Sequence, residues 1–278
     1  MGKCEYCGKD AGFLRNYHEA CQDKHNSGQL QITNLARASA LSKSNLSDLK
    51  VKLSEIATGS YINSEKLKSL LVNAWEVAVS DSLEDDLLSR EEEDSLAEYV
   101  DYFGLSHDEI DKNGVNTKLV KAAILRDVME GKIPNRIVIK GSLPFNFQKE
   151  EILVWLFKNV QYYEPRTQTK YSGSYQGVSL RIAKGIYYRV GGFKGKPIMT
   201  TQTVIIDNGY LGITNKHIYF SGSVKSFRLK YSKIVSFSPF ADGIAIQSDS
   251  ANAKPQIYKT GDGWFTYNLI SNLASLTS

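Results

Sequence analysis

In the first half of the chain, apolar residues recur three or four positions apart; in the second half they tend to alternate. Helices followed by strands are therefore expected. Over 28–57, Leu30, Leu35, Leu41, Leu46, Leu49, Leu53 and Ile56 fall at mixed helical spacings, with a polar interruption over 39–47 and a stop at Thr58-Gly59-Ser60. Ser64 is the expected N-cap of a helix over 65–80, with Leu67, Leu70, Leu71, Ala74, Trp75 and Ala78 as its apolar face. Ser89 with Glu92, and Ser106 with Glu109, have the spacing of capping boxes, in which each side chain satisfies a backbone N–H of the other residue. Leu96, Val100 and Phe103 line the first of these helices and Gly104 stops it; a further helix is expected over 117–130, closed by Gly131.

Beyond Pro134 the period changes. Residues 136–140 read as a short strand, and 150–159 as a helix or a buried strand. From Val160 onward, Tyr, Val, Ile and Thr alternate between Gly, Asn and Asp punctuation. This predicts strands near 160–164, 169–175, 178–183, 186–190, 203–206, 210–214, 217–221, 224–229, 233–237 and 243–247. Short, closely spaced strands of this kind point to an antiparallel barrel or sandwich. A last helix begins at Asp262 or Gly263, and its stripe of Trp264, Phe265, Leu269, Ile270, Leu273 and Leu276 is suited to capping the open end of that barrel. The expected fold class is thus α+β and multidomain.

A chain of 278 residues suggests about two domains, and 42% hydrophobic with 23% charged residues excludes wholesale disorder. Charge divides the chain more sharply than composition. Residues 64–130 hold 7 Lys/Arg and 17 Asp/Glu, a balance of −10, whereas 166–278 hold 14 and 4, a balance of +10. The basic half is suited to an anionic surface or to the acidic half itself. No run approaches the roughly 18 apolar residues that span a bilayer, and the N-terminus has no apolar signal region, so a cytoplasmic location is expected, with peripheral membrane contact left open.

All three cysteines fall in the first 21 residues: Cys4-x-x-Cys7, a ten-residue gap, then His18-x-x-Cys21. Zinc takes four Cys or His ligands in a tetrahedron, and each tight pair presents two of them to one ion. Cys4, Cys7, His18 and Cys21 are the candidate Zn²⁺ ligands, with His25 as the less well spaced alternative to His18. The segment resembles a treble-clef or half-LIM zinc knuckle, with its second pair in the first turn of a helix starting near Tyr17. Four protein ligands imply a structural site, and a segment this short depends on its metal to fold. Lys3, Lys9, Arg15 and Lys24 would suit nucleic acid but are offset by Glu5, Asp10, Glu19 and Asp23.

Residues 74–106 join an alanine-containing helix, an acidic loop and a helix that opens on Glu91-Glu92-Glu93 and closes at Gly104. Over about 64–132 this resembles the tellurite-resistance B-like helical domain. That family often has Asp-Gly in the loop, where Asp81 is here followed by Ser82, and its loop is shorter. Asp81, Glu84, Asp85, Asp86 and Glu91 could offer oxygen ligands to a divalent ion, but without EF-hand alternation they read first as a solvated loop that suits a helix N-terminus.

The segment from Gly209 through Gly222, followed by Phe227-Arg-Leu-Lys-Tyr-Ser-Lys-Ile-Val-Ser-Phe, reads as strand, turn at Asn215-Lys216, returning strand, then another. Over about 165–278 it resembles a bacterial pleckstrin-homology-like or GRAM-like domain. That resemblance implies binding to phosphoinositides, peptides or partner domains. Lys184, Arg189, Lys194 and Lys196 are the candidate anion-binding residues, with the Gly-rich stretch 191–196 as a phosphate cradle.

The domain plan is therefore a zinc knuckle at 1–25, a helical linker at 28–60, the acidic helical domain at 64–132 and the basic β domain at 135–278. No Gly-x-Ser-x-Gly, phosphate-loop or His-Glu-x-x-His motif occurs, and the four histidines are scattered at 18, 25, 107 and 217. The leading expectation is a non-enzymatic adaptor that binds protein partners, in a bacterial stress or phage-defence setting that the resemblances imply. The alternatives are an anionic-lipid sensor acting through the basic domain, a nucleic-acid binder acting through the knuckle, and a hydrolase with a divalent ion on the acidic loop.

Overall fold

The structure is a computed structural model that describes residues 2–84, 88–139, 141–183, 186–250 and 253–276, with side chains described outside 167–200. The chain divides into two compact units, Met1–Lys132 and Ile133–Ser278.

The first unit opens with a small antiparallel pair, β1 (Gly2–Lys3) and β2 (Asp10–Gly12). Six helices follow: α1 (Glu19–Ala40), α2 (Leu46–Gly59), α3 (Ser64–Ser82), α4 (Arg90–Phe103), α5 (His107–Ile110) and α6 (Val115–Met129). Side-chain caps explain most of the starts. Asn45 accepts from the backbone of Ser47 and Asp48 to open α2, and Asn63, one residue before the expected Ser64, accepts from Lys66 to open α3. Both expected capping boxes form, Ser89 with Glu92 and Ser106 with Glu109. Gly104 ends α4 at φ 62°, a left-handed conformation that an L side chain resists.

The helical core runs from Ile32 to Ala123 and includes Leu53, Leu71, Trp75, Leu96 and Tyr99. Trp75 Nε1 donates to the Leu96 carbonyl at 3.1 Å and the Tyr99 hydroxyl to the Leu71 carbonyl at 3.3 Å, so both large rings are buried without an orphaned polar atom. The stretch 28–60, read from sequence as a linker, belongs to this core. Gly28, Ile32, Ala36 and Ala40 form the buried face of α1, and Leu46, Leu49, Leu53 and Ala57 that of α2. An Ala-and-Gly face lets the backbones approach closely: a Cβ on Gly28 would lie 2.3 Å from both Cβ and Oγ of Ser60.

The second unit is a seven-stranded antiparallel sheet in the order β6-β5-β4-β3-β9-β8-β7, with one helix. Its strands are β3 (Leu153–Ala183), β4 (Ile186–Thr214), β5 (His217–Gly222), β6 (Ser226–Lys230), β7 (Ile234–Phe240), β8 (Gly243–Ser248) and β9 (Gln256–Lys259); α7 spans Gly263–Leu276. Three expectations change here. The sheet is not a closed barrel: β6 and β7, its two end strands, are consecutive in the chain but joined by a 3-10 turn at Tyr231–Lys233, with no ladder between them among the described residues. The six short strands expected between 160 and 214 merge into β3 and β4, and β9 was not foreseen. Residues 136–139 form no strand, because no neighbour pairs with them among the described residues.

Only the base of the β3–β4 hairpin lies in the sheet. β9 pairs with β3 at 161–163 and β5 pairs with β4 at 209–213, whereas 164–183 and 186–204 pair with each other alone among the described residues. At about 3.3 Å per residue, this two-stranded ribbon runs roughly 60 Å beyond the sheet. The core sits at the base: Val154, Val160, Tyr162, Leu211, Ile213, Phe220, Ile244, Ile246 and Tyr258 are buried, as are Phe265, Leu269, Ile270 and Leu273 of α7, and Phe265 packs on Trp155 and Phe157 with ring centroids 5.1 and 6.0 Å away. Asp262 Oδ1 caps α7 by accepting from the Phe265 backbone.

Candidate metal centre

Cys4, Cys7, His18 and Cys21 come together, with one ligand atom from each and all four atoms within 4.8 Å of one another. Two local structures place them. Tight backbone bonds from Gly8 to the Cys4 carbonyl (2.8 Å) and from Cys4 to the Lys9 carbonyl (2.7 Å) fold the first Cys pair into a knuckle between β1 and β2. His18 is the N-cap residue of α1 and Cys21 lies in its first turn, so the helix start fixes their separation, close to the start foreseen near Tyr17.

His18 Nδ1 lies 3.5 Å from Cys7 Sγ and 3.7 Å from Cys21 Sγ. A tetrahedral ion with metal–sulfur bonds of about 2.3 Å and metal–nitrogen bonds of about 2.0 Å requires sulfur–nitrogen edges of about 3.5 Å. The geometry therefore fits a small tetrahedral metal ion bound through Nδ1. The other ring nitrogen, Nε2, is 3.0 Å from the Asp10 carbonyl; donation there fixes the tautomer and frees Nδ1 to ligate. His25 is not part of the cluster; its Nδ1 contacts the Ser60 carbonyl at 2.9 Å.

The sulfurs sit in an environment that favours thiolates at one position and crowds them at another. Burial opposes charge on Cys4, but backbone N–H groups of Cys7, His18 and Tyr6 outweigh it and bring its pKa down to about 6. Burial and the neighbouring Cys7 and Cys4 push Cys21 up, a repulsion that a cation among them would relieve. The Cys21 thiolate in turn raises the phenol of Tyr61 through its charge and a hydrogen bond. Tyr61 stands in the turn between α2 and α3 with φ 57°, and Tyr6 stacks on His25 with ring centroids 4.8 Å apart. The cluster is thus tied to the helical core on two sides, through α1 and through the α2–α3 turn.

The other candidate residues are not gathered in this way. Asp81 is ion-paired with Arg37, while Asp85 and Asp86 lie outside the described residues. Among the described residues, Cys4, Cys7, His18 and Cys21 are the one group of this kind that could hold a metal. Lys184 also lies outside the described residues. Arg189, Lys194 and Lys196 are on β4, and the Gly-rich stretch that contains the last two is extended, with Gly191 opposite Gly177 and Gly195 opposite Gly173. Successive amides of a strand point to opposite sides, so this backbone does not make a concave nest. Lys194 and Lys196 stand opposite Ser174 and Ser172, and so share a ribbon face with Lys170 and Arg166; Arg189, opposite Ser179, has a register position on the other face. Over the 42 residues 165–206 the sequence has seven Lys/Arg and no Asp or Glu.

Sequence reasoning passed over a buried network in the second unit. The Glu151 side chain is fully buried; its Oε1 accepts from the Thr214 hydroxyl at 2.5 Å and His217 Nδ1 at 2.9 Å, and its Oε2 from the Tyr219 hydroxyl and the Gln148 backbone, both at 2.7 Å. Burial works against the carboxylate, yet these donors hold its pKa below the usual range, so it is ionised at neutral pH. No spacing rule joins residues more than 60 positions apart.

No protein-family description matches this sequence, and no curated protein is significantly similar to it. No helix among the described residues is long and apolar enough to cross a membrane.

Proposed function

We propose that this protein is a non-catalytic adaptor whose N-terminal segment is organised by one structural zinc ion. The observation that carries this reading is the closed set of three cysteines and one histidine at tetrahedral spacing. Thiolate-rich tetrahedral sites suit zinc, and four protein ligands leave no position for a reacting water. The ion then fixes the knuckle against α1 and the α2–α3 turn, giving a rigid surface for protein partners. The setting we propose with it, bacterial stress or phage defence, is what the resemblance over 64–132 implies. Native mass spectrometry with elemental quantification tests the metal: one zinc per chain is expected, and none after Cys4→Ser with Cys21→Ser. A folded wild-type chain without metal would refute the site. For the adaptor role, a protein captured in native salt should reform a stoichiometric complex with the purified chain. Failure of every captured protein to do so would refute that role.

A second reading, an anionic-lipid sensor, is supported by the ribbon, whose register puts Arg166, Lys170, Lys194 and Lys196 on one face of a segment without carboxylates. Co-sedimentation with phosphatidylserine vesicles should fall when Lys170, Lys194 and Lys196 become Glu; unchanged sedimentation would remove this reading.

A further inference from the structure

Beside the Glu151 network, a cavity of about 400 Å³ is lined by Gln148, Lys216, His217, Arg228, Lys230 and the Tyr231-Ser232 turn. The antiparallel register explains the gathering. His217 pairs with Lys230 and Tyr219 with Arg228, so these four residues share one face of the β5–β6 hairpin, while Ile218, Phe220, Phe227 and Leu229 occupy the other. On the shared face, Phe145 and Phe147 pack on the Tyr219 ring, and Glu151 reaches in from the same segment. We propose that this cavity binds a small phosphomonoester, with Arg228, Lys230 and Lys216 meeting the phosphate oxygens and His217 at its floor.

Three observations carry the assignment. The first is charge. Three cations line one cavity, and among the described residues none of them has a carboxylate partner. In the same unit Lys225, Lys233 and Lys259 are paired with Glu164, Asp249 and Asp242. Glu151, the acid bonded to His217 of the cavity lining, has both oxygens occupied by its four donors. A compact anion of one or two negative charges is the ligand class such a field selects, and Arg with Lys is the usual pairing for phosphate.

The second is His217. Only 8% of its side chain is exposed, and its Nδ1 is held by a carboxylate that is itself wholly buried. Nε2 has no partner among the described residues, so the ring's remaining polar atom is the one left for the cavity. An imidazole oriented in this way can accept from a singly protonated phosphate or donate to a dianion; one proton is shared in either case. The third is size: about 400 Å³ is room for one small molecule.

The test uses the full chain in low-salt buffer. Inorganic phosphate and glycerol 3-phosphate are titrated while amide and imidazole NMR signals are followed, and vesicles containing phosphatidylinositol 4-phosphate are assayed in parallel. Saturable shifts centred on 216–219 and 228–232 are expected, with affinity reduced roughly tenfold for each cation removed in Arg228→Ala and Lys230→Ala. Both side chains are on the exposed face of an end strand, and an unchanged far-UV spectrum confirms that the variants fold. Saturation by the soluble esters assigns a free ligand. Saturation by the vesicles alone, lost in the same variants, assigns a lipid headgroup and sustains the proposal. Absence of saturation by every probe, or affinity unchanged in both variants, overturns it. So does binding that requires a 20-nucleotide RNA while phosphate and glycerol 3-phosphate fail.

Discussion

Replacing Glu151 by Ala should loosen the second unit more than any other single polar change in that network. The substitution leaves the His217 ring N–H, the Tyr219 hydroxyl and the Gln148 backbone N–H without their acceptor. Thr214 has a fallback, because its hydroxyl also lies 2.9 Å from the His217 carbonyl. The Gln148 N–H is exposed and returns to water, so two donors are orphaned out of solvent; each costs about 1–3 kcal/mol, partly offset because a desolvated carboxylate is no longer buried. The net expectation is a loss of about 2–4 kcal/mol, with Glu151→Gln intermediate because it keeps the shape and one acceptor oxygen. Since two units can unfold separately, a single melting curve would mix them. Hydrogen exchange of peptides covering 211–221, read by mass spectrometry, isolates the effect. At roughly tenfold per 1.4 kcal/mol, the Ala variant should exchange there at least about twentyfold faster. A change below about fivefold would refute the claim that this carboxylate fastens the 142–152 segment to the sheet.

Three further outcomes follow from the geometry. Gly28→Ala places a Cβ 2.3 Å from Ser60 and should destabilise the helical unit by about 1–3 kcal/mol in thermal unfolding; Ser60→Gly in the same chain should recover most of it, and an unchanged melting temperature would refute the close approach. Ser89→Ala removes the side-chain arm of a capping box, the Ser89 hydroxyl that accepts from the Glu92 backbone, and should cost about 1 kcal/mol, seen as faster exchange at the start of α4. Asp207 is buried, which opposes its charge, but N–H groups of Lys225, Val224 and Asn208 and the Ser223 hydroxyl hold its pKa down to about 2. Its folded pKa lies below the unfolded value, so the stability it contributes is complete above about pH 4 and lost toward pH 2. The advantage of the wild type over Asp207→Asn in denaturant midpoint should therefore shrink across that window, and a constant difference would refute the assignment.

The gathering of Cys4, Cys7, His18 and Cys21 was legible because both pairs are local: a knuckle and a helix start each set two side chains within a few residues. Caps were legible for the same reason. The role of 28–60 was not, because the prominent leucines are misleading. Leu30 is exposed, while the buried face of α1 is Gly28, Ile32, Ala36 and Ala40, whose small residues carry little hydrophobic signal. Glycines in the ribbon were read as turns, yet Gly173 faces Gly195 and Gly177 faces Gly191 across two strands. Their meaning depends on a register that no local rule supplies. His217 was placed correctly in a strand, but Glu151, the residue that gives it chemical interest, reaches it from 66 positions earlier.

Helix α1 and its N-cap carry two of the four candidate metal ligands at one end and the buried face Ile32, Ala36 and Ala40 along its length. A ligand that binds only the folded state stabilises it by mass action, by about 2.7 kcal/mol at a hundredfold excess over its dissociation constant. Because one helix is shared, that increment belongs to the whole helical unit and not to its first twenty residues. In a cell where proteases remove unfolded chains, a difference of this size changes steady-state abundance severalfold. With an ion bound, the N-terminal cluster would work as a gauge, converting the supply of that ion into the lifetime of the protein.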